Sequence, residues 1–392
     1  MKTSISLRRI QITGGSTFIV SLPKSWAESI ALKPGDYVQV IPQPDNSLLL
    51  VPRREQVEQT SEAVIKATPE KSPEEVAREM IACYLAGYDS IKVRFAGKID
   101  EYKAYLKNIM RTKLIGLESV EESTDYMVVR CLLGYVDFPI SDALNRMYLM
   151  ALSMCKDALK ALKERNLSLV KDVIQRDDEV DRLYLFCVRQ LKSTVKNAIM
   201  MKEVGLKSPR ECLGYRLIIK SIERVADHAV GIAEQVPHLK LPDGRKTIEK
   251  ISKMAELAFK IYESSIHSLF NLNIEQANRL ITKVNELTRI EKDLIKMIFE
   301  SRLNTETAIG LRLIIESIKR IAEYGADIAE IDKPGYKELK SWPGRWRLSA
   351  PRGQIAFEAL SKRSELRDLF LKLHPLIFEL RYPIPKFFNS VL

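Results

Sequence analysis

Two pairs of acidic residues have the types and spacing best suited to chemistry in this sequence. Glu223 and Asp227 are four residues apart, and so are Asp177 and Asp181. On a helix, residues at i and i+4 project from one face about one turn apart. If the helices that carry these pairs are neighbours, the four carboxylates face each other across a helical bundle.

A group of four carboxylates has a chemical consequence, because like charges repel and raise each other's pKa. Bound cations commonly offset that cost. An all-oxygen ligand set favours magnesium, calcium, manganese or ferric iron over metals that prefer thiolates. The alternative is a solvated acidic face whose carboxylates pair with lysines one turn away, and the spacing alone leaves both interpretations open.

The segment that contains Glu223 and Asp227 occurs twice. Residues 216–234 read RLIIKSIERVADHAVGIAE and residues 312–330 read RLIIESIKRIAEYGADIAE, with eleven of nineteen aligned positions identical. Identity of this extent indicates an internal duplication. The second copy has lysine and glutamate at the positions of the acidic pair, so the copies differ in the residues that could bind a cation.

Nearly everything from residue 140 onward has helical periodicity. Short breaks predict six long helices joined by connections suited to antiparallel neighbours. Their predicted bounds are 140–164, 168–203, 208–236, 245–271, 273–302 and 306–331. The duplication groups them into two three-helix repeats, repeat 1 at 140–237 and repeat 2 at 245–332.

These tandem repeats, with D-x-x-x-D on the second helix and E-R-x-A-D-H on the third, resemble the PhoU family of phosphate-uptake regulators over residues 140–331. The resemblance implies a bundle-surface site for a divalent or ferric ion, namely iron, magnesium, manganese or zinc. It also implies a phosphate transporter ATPase subunit or a sensor protein as partner. The metal ligands that it implies in repeat 1 are Asp177, Asp181, Glu223 and Asp227.

Repeat 2 departs from this pattern. Its aligned residues are Val284, Thr288, Lys319 and Glu323. Three of the four cannot act as carboxylate ligands, so we expect no metal site of the family type in repeat 2.

The first 54 residues have the short alternating runs of β structure. The predicted strands are 4–13, 17–22, 37–41 and 48–51, and a short helix is predicted to start at Ser25. So small a unit buries too little surface alone, which argues for pairing with a second copy.

The run GGSTFIVSLPKSW, followed by LKPGDYVQV and a short hairpin, resembles the AbrB/MazE/SpoVT family of swapped-hairpin DNA-binding domains. The resemblance covers about residues 4–54. It implies a β-barrel interleaved from two chains, hence a homodimer, with a basic face that binds DNA. The basic residues available for that face are Arg8, Arg9, Lys24, Lys33, Arg53 and Arg54. The alternative is a domain that only dimerises the protein.

Residues 62–137 alternate between strand and helix periodicity in the order βαβαββ, which predicts a small α/β sandwich. No glycine-rich phosphate loop occurs in it, so we expect no nucleotide site. A spacer or dimerisation module and a small-ligand sensor are both open. The fold class is therefore multidomain: a swapped-hairpin β-barrel domain, the α/β sandwich, and an all-α bundle of two tandem three-helix repeats.

The net charge of +11 is unevenly placed. Residues 1–54 carry seven basic and three acidic residues, and residues 333–392 carry twelve and five, which leaves the region between them neutral. The basic excess therefore lies at the two ends. The tail at 333–392 lies outside both resemblances. Its aromatic and arginine residues suit a nucleic acid or an anionic surface, with packing against the bundle or a partner as the alternative.

Neither catalysis nor membrane insertion is expected. The four histidines are scattered, and no Ser/His/Asp or Cys/His constellation can be proposed from spacing. No run approaches eighteen apolar residues and the N-terminus lacks the apolar block of a signal peptide, which predicts a cytoplasmic protein. We therefore expect a non-catalytic, DNA-binding regulator. The alternatives are a regulator of a phosphate transporter that does not bind DNA and an antitoxin-like transcription factor.

Overall fold

The structure is a computed structural model, and its chain divides into two compact units, one up to Thr60 and one from Ser61 onward. The described residues are 7–42, 46–52, 61–97, 99–134, 137–196, 200–201, 204, 206, 208–240, 245–271, 274–301 and 303–331. The predicted DNA-binding residues Arg53 and Arg54 lie outside the described residues, as does the predicted tail at 333–392.

The first unit contains two antiparallel hairpins with a short helix between them. Its elements in chain order are β1 (Gln11–Thr13), β2 (Thr17–Ile19), α1 (Lys24–Ser29), β3 (Val38–Pro42) and β4 (Leu48–Pro52). Gly14 and Gly15 join β1 to β2 with φ of 58° and 79°, a left-handed backbone that glycine adopts without strain. The predicted order of four strands and one helix is confirmed.

Both hairpins leave apolar side chains exposed. Ile12, Phe18, Val40 and Leu48 are each more than half exposed. A lone two-stranded hairpin is only marginally stable in water. These apolar faces therefore need a cover that the described residues of this unit do not provide.

The second unit begins with two helices packed on a four-stranded sheet, here called the α/β module (residues 62–131). Its elements in chain order are β5 (Glu62–Ala67), α2 (Pro73–Ala86), β6 (Ser90–Phe95), α3 (Ile99–Lys113), β7 (Leu117–Glu122) and β8 (Tyr126–Cys131). The strand order is β5-β6-β8-β7, with β5 parallel to β6 and the other neighbours antiparallel. Ser72 and Glu75 form a capping box that starts α2. The predicted βαβαββ sandwich is confirmed.

Six long helices follow in the described part of the second unit. They are α4 (Ile140–Glu164), α5 (Leu167–Lys196), α6 (Pro209–Gln235), α7 (Arg245–Asn271), α8 (Ile274–Glu300) and α9 (Thr305–Ile331). The two predicted three-helix repeats are confirmed, and the predicted end of the second helix at residue 203 lies outside the described residues. Within the described ranges, no helix is long and apolar enough to cross a membrane.

The two duplicated helices, α6 and α9, pack against each other in opposite directions. Arg224 Nη1 donates to Tyr324 Oη at 3.1 Å, and Gly231 lies against Ser317. Later residues of α6 therefore contact earlier residues of α9, as in antiparallel helices. Most aligned apolar positions of both copies, such as Ile222 and Ile318, are buried in this core, whereas the aligned pair Leu217 and Leu313 is exposed.

Candidate cation-binding face

Four carboxylates gather on one face of repeat 1, here called the acidic face. They are the predicted metal ligands Asp177 and Asp181 on α5, and Glu223 and Asp227 on α6. Because α5 packs along α6, the two pairs lie close enough for their charges to interact. The structure therefore brings together all four residues that the sequence selected.

The carboxyl groups of the acidic face are hard to ionise. Burial, followed by the charges of Asp181 and Glu223, raises the pKa of Asp177 to about 7. Burial, followed by the charges of Glu223 and Asp177, raises the pKa of Asp227 to about 8. Burial is the larger cause of both shifts, and the mutual repulsion expected for four gathered carboxylates adds to it.

Two lysine ammonium groups also lie on the acidic face. Lys220, on α6, places Nζ 2.5 Å from both carboxylate oxygens of Glu223. Lys113, the last residue of α3, places Nζ 2.6 Å from Asp178 Oδ1 and 3.4 Å from Asp181 Oδ2. Burial raises the pKa of Asp181 and Glu223, and these lysines oppose that rise.

The donor chemistry of the acidic face suits a hard cation, but the placement of its side chains does not. All four donors are carboxylates, and Asp177 Oδ1 is buried without a hydrogen-bond partner. Across the described residues, however, no three Asp, Glu, His or Cys side chains are placed to share a metal ion. Lys113 and Lys220 hold the carboxylates of Asp181 and Glu223 instead. A metal therefore requires these two ammonium groups to move aside.

The matching face of repeat 2 has a different chemistry. Lys319, aligned with Glu223, places Nζ 2.8 Å from Glu291 Oε2 on α8 and 3.8 Å from Glu323 Oε1. Thr288, aligned with Asp181, donates its hydroxyl to the carbonyl oxygen of Val284 at 3.3 Å. Basic and acidic groups of this face therefore pair within the repeat.

A buried arginine fixes the α/β module beside the acidic face. Arg189 on α5 is only 3% exposed, and its Nη1 donates to the carbonyl oxygens of Tyr84 and Tyr88 at 2.7 and 2.9 Å. These carbonyls lie at the end of α2, where a cation is favoured. Gly87 has φ of 88°, and a Cβ there would lie 2.5 Å from Ser193 Oγ on α5, so the close approach requires glycine.

The sequence identified the four carboxylates but not the two lysines, Lys113 and Lys220, that pair with them. Lys220 had a local signal, because it precedes Glu223 by three residues on one helix. Lys113 had none, since it is 68 residues from Asp181 in the chain. Only the docking of the α/β module on α5 brings these two residues together.

The described candidates for DNA contact are all exposed in the first unit. Arg8 and Arg9 precede β1, and Lys33 lies in the turn before β3, where its backbone N–H donates to Asp36 Oδ2 at 2.7 Å. Lys24 begins α1, and its Nζ is 3.7 Å from Glu28 Oε1. Each side chain is therefore accessible to a ligand from solvent.

His228 is part of the contact between α6 and α9 rather than of the acidic face. Its ring stacks on that of Tyr324 with the centroids 5.7 Å apart. Burial, with Arg320 and Arg224 nearby, lowers the pKa of His228 to about 4. The imidazole is therefore neutral at neutral pH and adds no charge to the carboxylates.

Comparison with known proteins assigns two regions of the chain to families. The family described as PhoU domain matches residues 144–236 and 251–331. Two successive regions of the chain therefore match the PhoU domain. The family described as Antidote-toxin recognition MazE, bacterial antitoxin, matches residues 11–57, so a MazE-like domain precedes them. Both resemblances seen in the sequence are confirmed.

Individual relatives match about half of the chain. The phosphate-specific transport system accessory protein PhoU homolog 2 of Thermotoga maritima is 25% identical over 182 residues, which cover 45% of this chain and 76% of the relative. The PhoU homolog of Aquifex aeolicus is 28% identical over 167 residues, 42% of this chain and 74% of the relative. The crystal structure of the regulatory protein PhoU from Streptococcus pneumoniae aligns at 18% identity with a TM-score of 0.43, over 52% of this chain and 93% of that one.

Proposed function

We propose that this protein is a phosphate-responsive regulator of phosphate uptake that acts without catalysis. The observation that carries the proposal is the pair of PhoU domains. Relatives that match this chain are named as accessory proteins of a phosphate-specific transport system. In this proposal the bundle receives the phosphate signal from a transporter ATPase subunit or a sensor protein.

We propose that the N-terminal unit binds DNA as a homodimer. The MazE-like match and the exposed apolar faces of both hairpins support pairing with a second copy. Arg8, Arg9 and Lys24 are exposed, and such side chains bind the phosphate backbone of DNA. The protein then regulates transcription in response to the bundle.

The proposal also includes a divalent or ferric cation on the acidic face, with iron, magnesium, manganese and zinc as candidates. The four carboxylates, the unpaired Asp177 Oδ1 and the raised pKa values of Asp177 and Asp227 support it. A bound cation supplies positive charge to carboxylates that resist ionisation. Its ligands are on α5 and α6, so it stiffens the surface that these helices present to a partner.

A gel-shift titration with promoter DNA of the protein's own operon tests the DNA-binding part. The Arg8→Ala/Arg9→Ala/Lys24→Ala variant should bind more weakly, and the slope of log affinity against log salt should fall by about 2 to 3. A Lys171→Ala/Lys250→Ala/Lys253→Ala variant removes the same charge from exposed bundle positions and should bind as the wild type does. Equal binding by both variants, or no binding by the wild type, contradicts the proposal.

The MazE-like match favours one second candidate, an antitoxin-like transcription factor. The gene neighbourhood separates it from the first, because a small toxin gene next to this one favours an antitoxin and a phosphate-transport operon favours a phosphate regulator. If the wild type binds no DNA but binds a phosphate transporter, the protein is an interaction regulator whose N-terminal unit only dimerises it.

A further inference from the structure

We propose that the α/β module is a built-in competitor for the acidic face, with the Lys113 ammonium group as the competing cation. A divalent cation that binds Asp181 must displace Lys113 and thereby loosens the end of α3 from α5. The inference rests on the proposed cation binding and adds a regulator of that same site. It also gives the α/β module a role in a protein whose PhoU domains lie elsewhere in the chain.

The position of Lys113 makes it a competitor rather than a surface charge. Its side chain is 19% exposed, and its Nζ bridges Asp178 Oδ1 at 2.6 Å and Asp181 Oδ2 at 3.4 Å. Asp178 is 62% exposed and remains solvated without the lysine. The Asp181 side chain is only 16% exposed, and Lys113 is the main cation that neutralises it, with a smaller contribution from Lys220.

Lys113 and a metal ion exclude each other at Asp181. Oxygen-ligated divalent cations lie about 2.0 to 2.6 Å from their ligands. An ammonium group already in contact with the same carboxylate would then lie a few ångströms from the metal, and the two positive charges repel strongly at that distance. Binding of one therefore requires withdrawal of the other.

The second attachment of the module does not involve the acidic face. Arg189 donates to the carbonyl oxygens of Tyr84 and Tyr88 at the end of α2, and its Nη2 lies 3.7 Å from Asp89 Oδ1. Displacement of Lys113 leaves these contacts in place. The expected change is therefore a loosening at the C-terminal end of α3, with α2 still attached to α5.

Thermodynamic linkage makes the competition measurable from both sides. If a cation weakens the Lys113 contact, removal of that contact must strengthen cation binding by the same factor. Coupling between two such sites is commonly 5- to 150-fold. We expect Lys113→Met to raise the affinity for Mn²⁺ about tenfold.

Mn²⁺ titration calorimetry on the full-length protein provides the first measurement. The variants are Lys113→Met and the matched control Lys107→Met. Lys107 is also on α3, but its Nζ pairs with Glu122 Oε1 at 2.8 Å inside the α/β module. Lys107→Met removes the same charge from the same helix and should leave Mn²⁺ affinity unchanged.

Hydrogen exchange provides the second measurement. Saturating Mn²⁺ should speed amide exchange at residues 109–113 of the wild type and leave exchange in α2 unchanged. In the Lys113→Met protein these amides should exchange at the faster rate before Mn²⁺ is added. Unchanged exchange in wild-type protein saturated with Mn²⁺ overturns the competition.

The binding outcomes separate this inference from the proposed cation site. Equal Mn²⁺ affinity of the wild type and Lys113→Met overturns the competition and leaves cation binding in place. Binding by Lys113→Met alone supports the competition and overturns cation binding by the native chain. Binding by neither protein overturns both.

Discussion

Repeat 1 and repeat 2 carry their lysines and carboxylates at different positions of one helical scaffold. In repeat 1 the face holds four carboxylates, and Asp181 is paired with Lys113 from the α/β module. In repeat 2 the position of Glu223 holds Lys319, which pairs with Glu291 inside the repeat. The described pairs of the repeat 2 face lie within that repeat, whereas repeat 1 pairs Glu223 with its own Lys220 and takes a second cation, Lys113, from outside the repeat. Duplication has thus preserved the buried apolar positions while the polar face of each copy changed separately.

The largest expected difference between the faces follows from removing one lysine from each. Lys220→Met leaves the Glu223 side chain, which is 5% exposed, without its ammonium partner, and should lower the free energy of unfolding by about 3 kcal/mol. Lys319→Met leaves Glu291 with Arg312 Nη2 3.9 Å away and should cost about 1 kcal/mol. Urea denaturation followed by circular dichroism measures both. Equal losses would contradict the contrast between the repeats.

The next difference is a pH dependence that should be stronger in repeat 1, where two carboxyl groups have strongly raised pKa values, than in repeat 2, where burial and the charges of Glu330 and Glu323 raise the pKa of Asp327 to about 6. The folded-state pKa values of Asp177 and Asp227, about 7 and about 8, exceed those of the unfolded chain. Folding therefore binds protons, so their contribution to stability is fully present below about pH 4 and is lost as pH rises through 7 to 8. Relative to Asp177→Asn/Asp227→Asn, which cannot ionise there, the free energy of unfolding of the wild type should fall progressively between pH 4 and pH 8.

Thermal unfolding in the presence of a chelator, repeated across this pH range, measures the loss. The control is Glu323→Gln, since Glu323 aligns with Asp227 but pairs with Arg320 at 2.9 Å. The stability difference between this control and the wild type should change less with pH than that of the Asn variant, because Glu323→Gln removes only one of the charges that act on Asp327. If the stability of the Asn variant and that of the wild type change in parallel with pH, the carboxyl groups of the acidic face do not have raised pKa values.

The smallest expected effect is on the free energy of unfolding at pH 8, which two aligned substitutions should change in opposite directions. Asp227→Asn should raise stability because it removes a buried carboxylate and its repulsion from Glu223 and Asp177. Glu323→Gln should lower it by about 0.5 kcal/mol because it removes a partly exposed pair with Arg320. Thermal unfolding of the two variants side by side provides the measurement, and a shift of the same sign in both would contradict it.

Much of the fold was predictable because it depends on local patterns. The six helices follow from apolar periodicity, and the strands of the α/β module follow from alternation bounded by turns. The acidic face was also predictable, since an i,i+4 spacing places Asp177 beside Asp181 wherever the helix packs. Lys113 was not predictable, because its contact with Asp181 depends on how the module docks. That docking in turn depends on Arg189 and Gly87, whose roles appear only when α2 meets α5.

The central claim is that a cation binds on repeat 1 and not on repeat 2. The most direct test is the metal-to-protein ratio of purified full-length protein for two variants at aligned positions. Asp181→Ala/Asp227→Ala alters repeat 1, and Thr288→Ala/Glu323→Ala alters repeat 2. The account predicts that the first variant loses the bound metal and that the second keeps the wild-type ratio. An unchanged ratio in the first variant, or an equal loss in both, would contradict it.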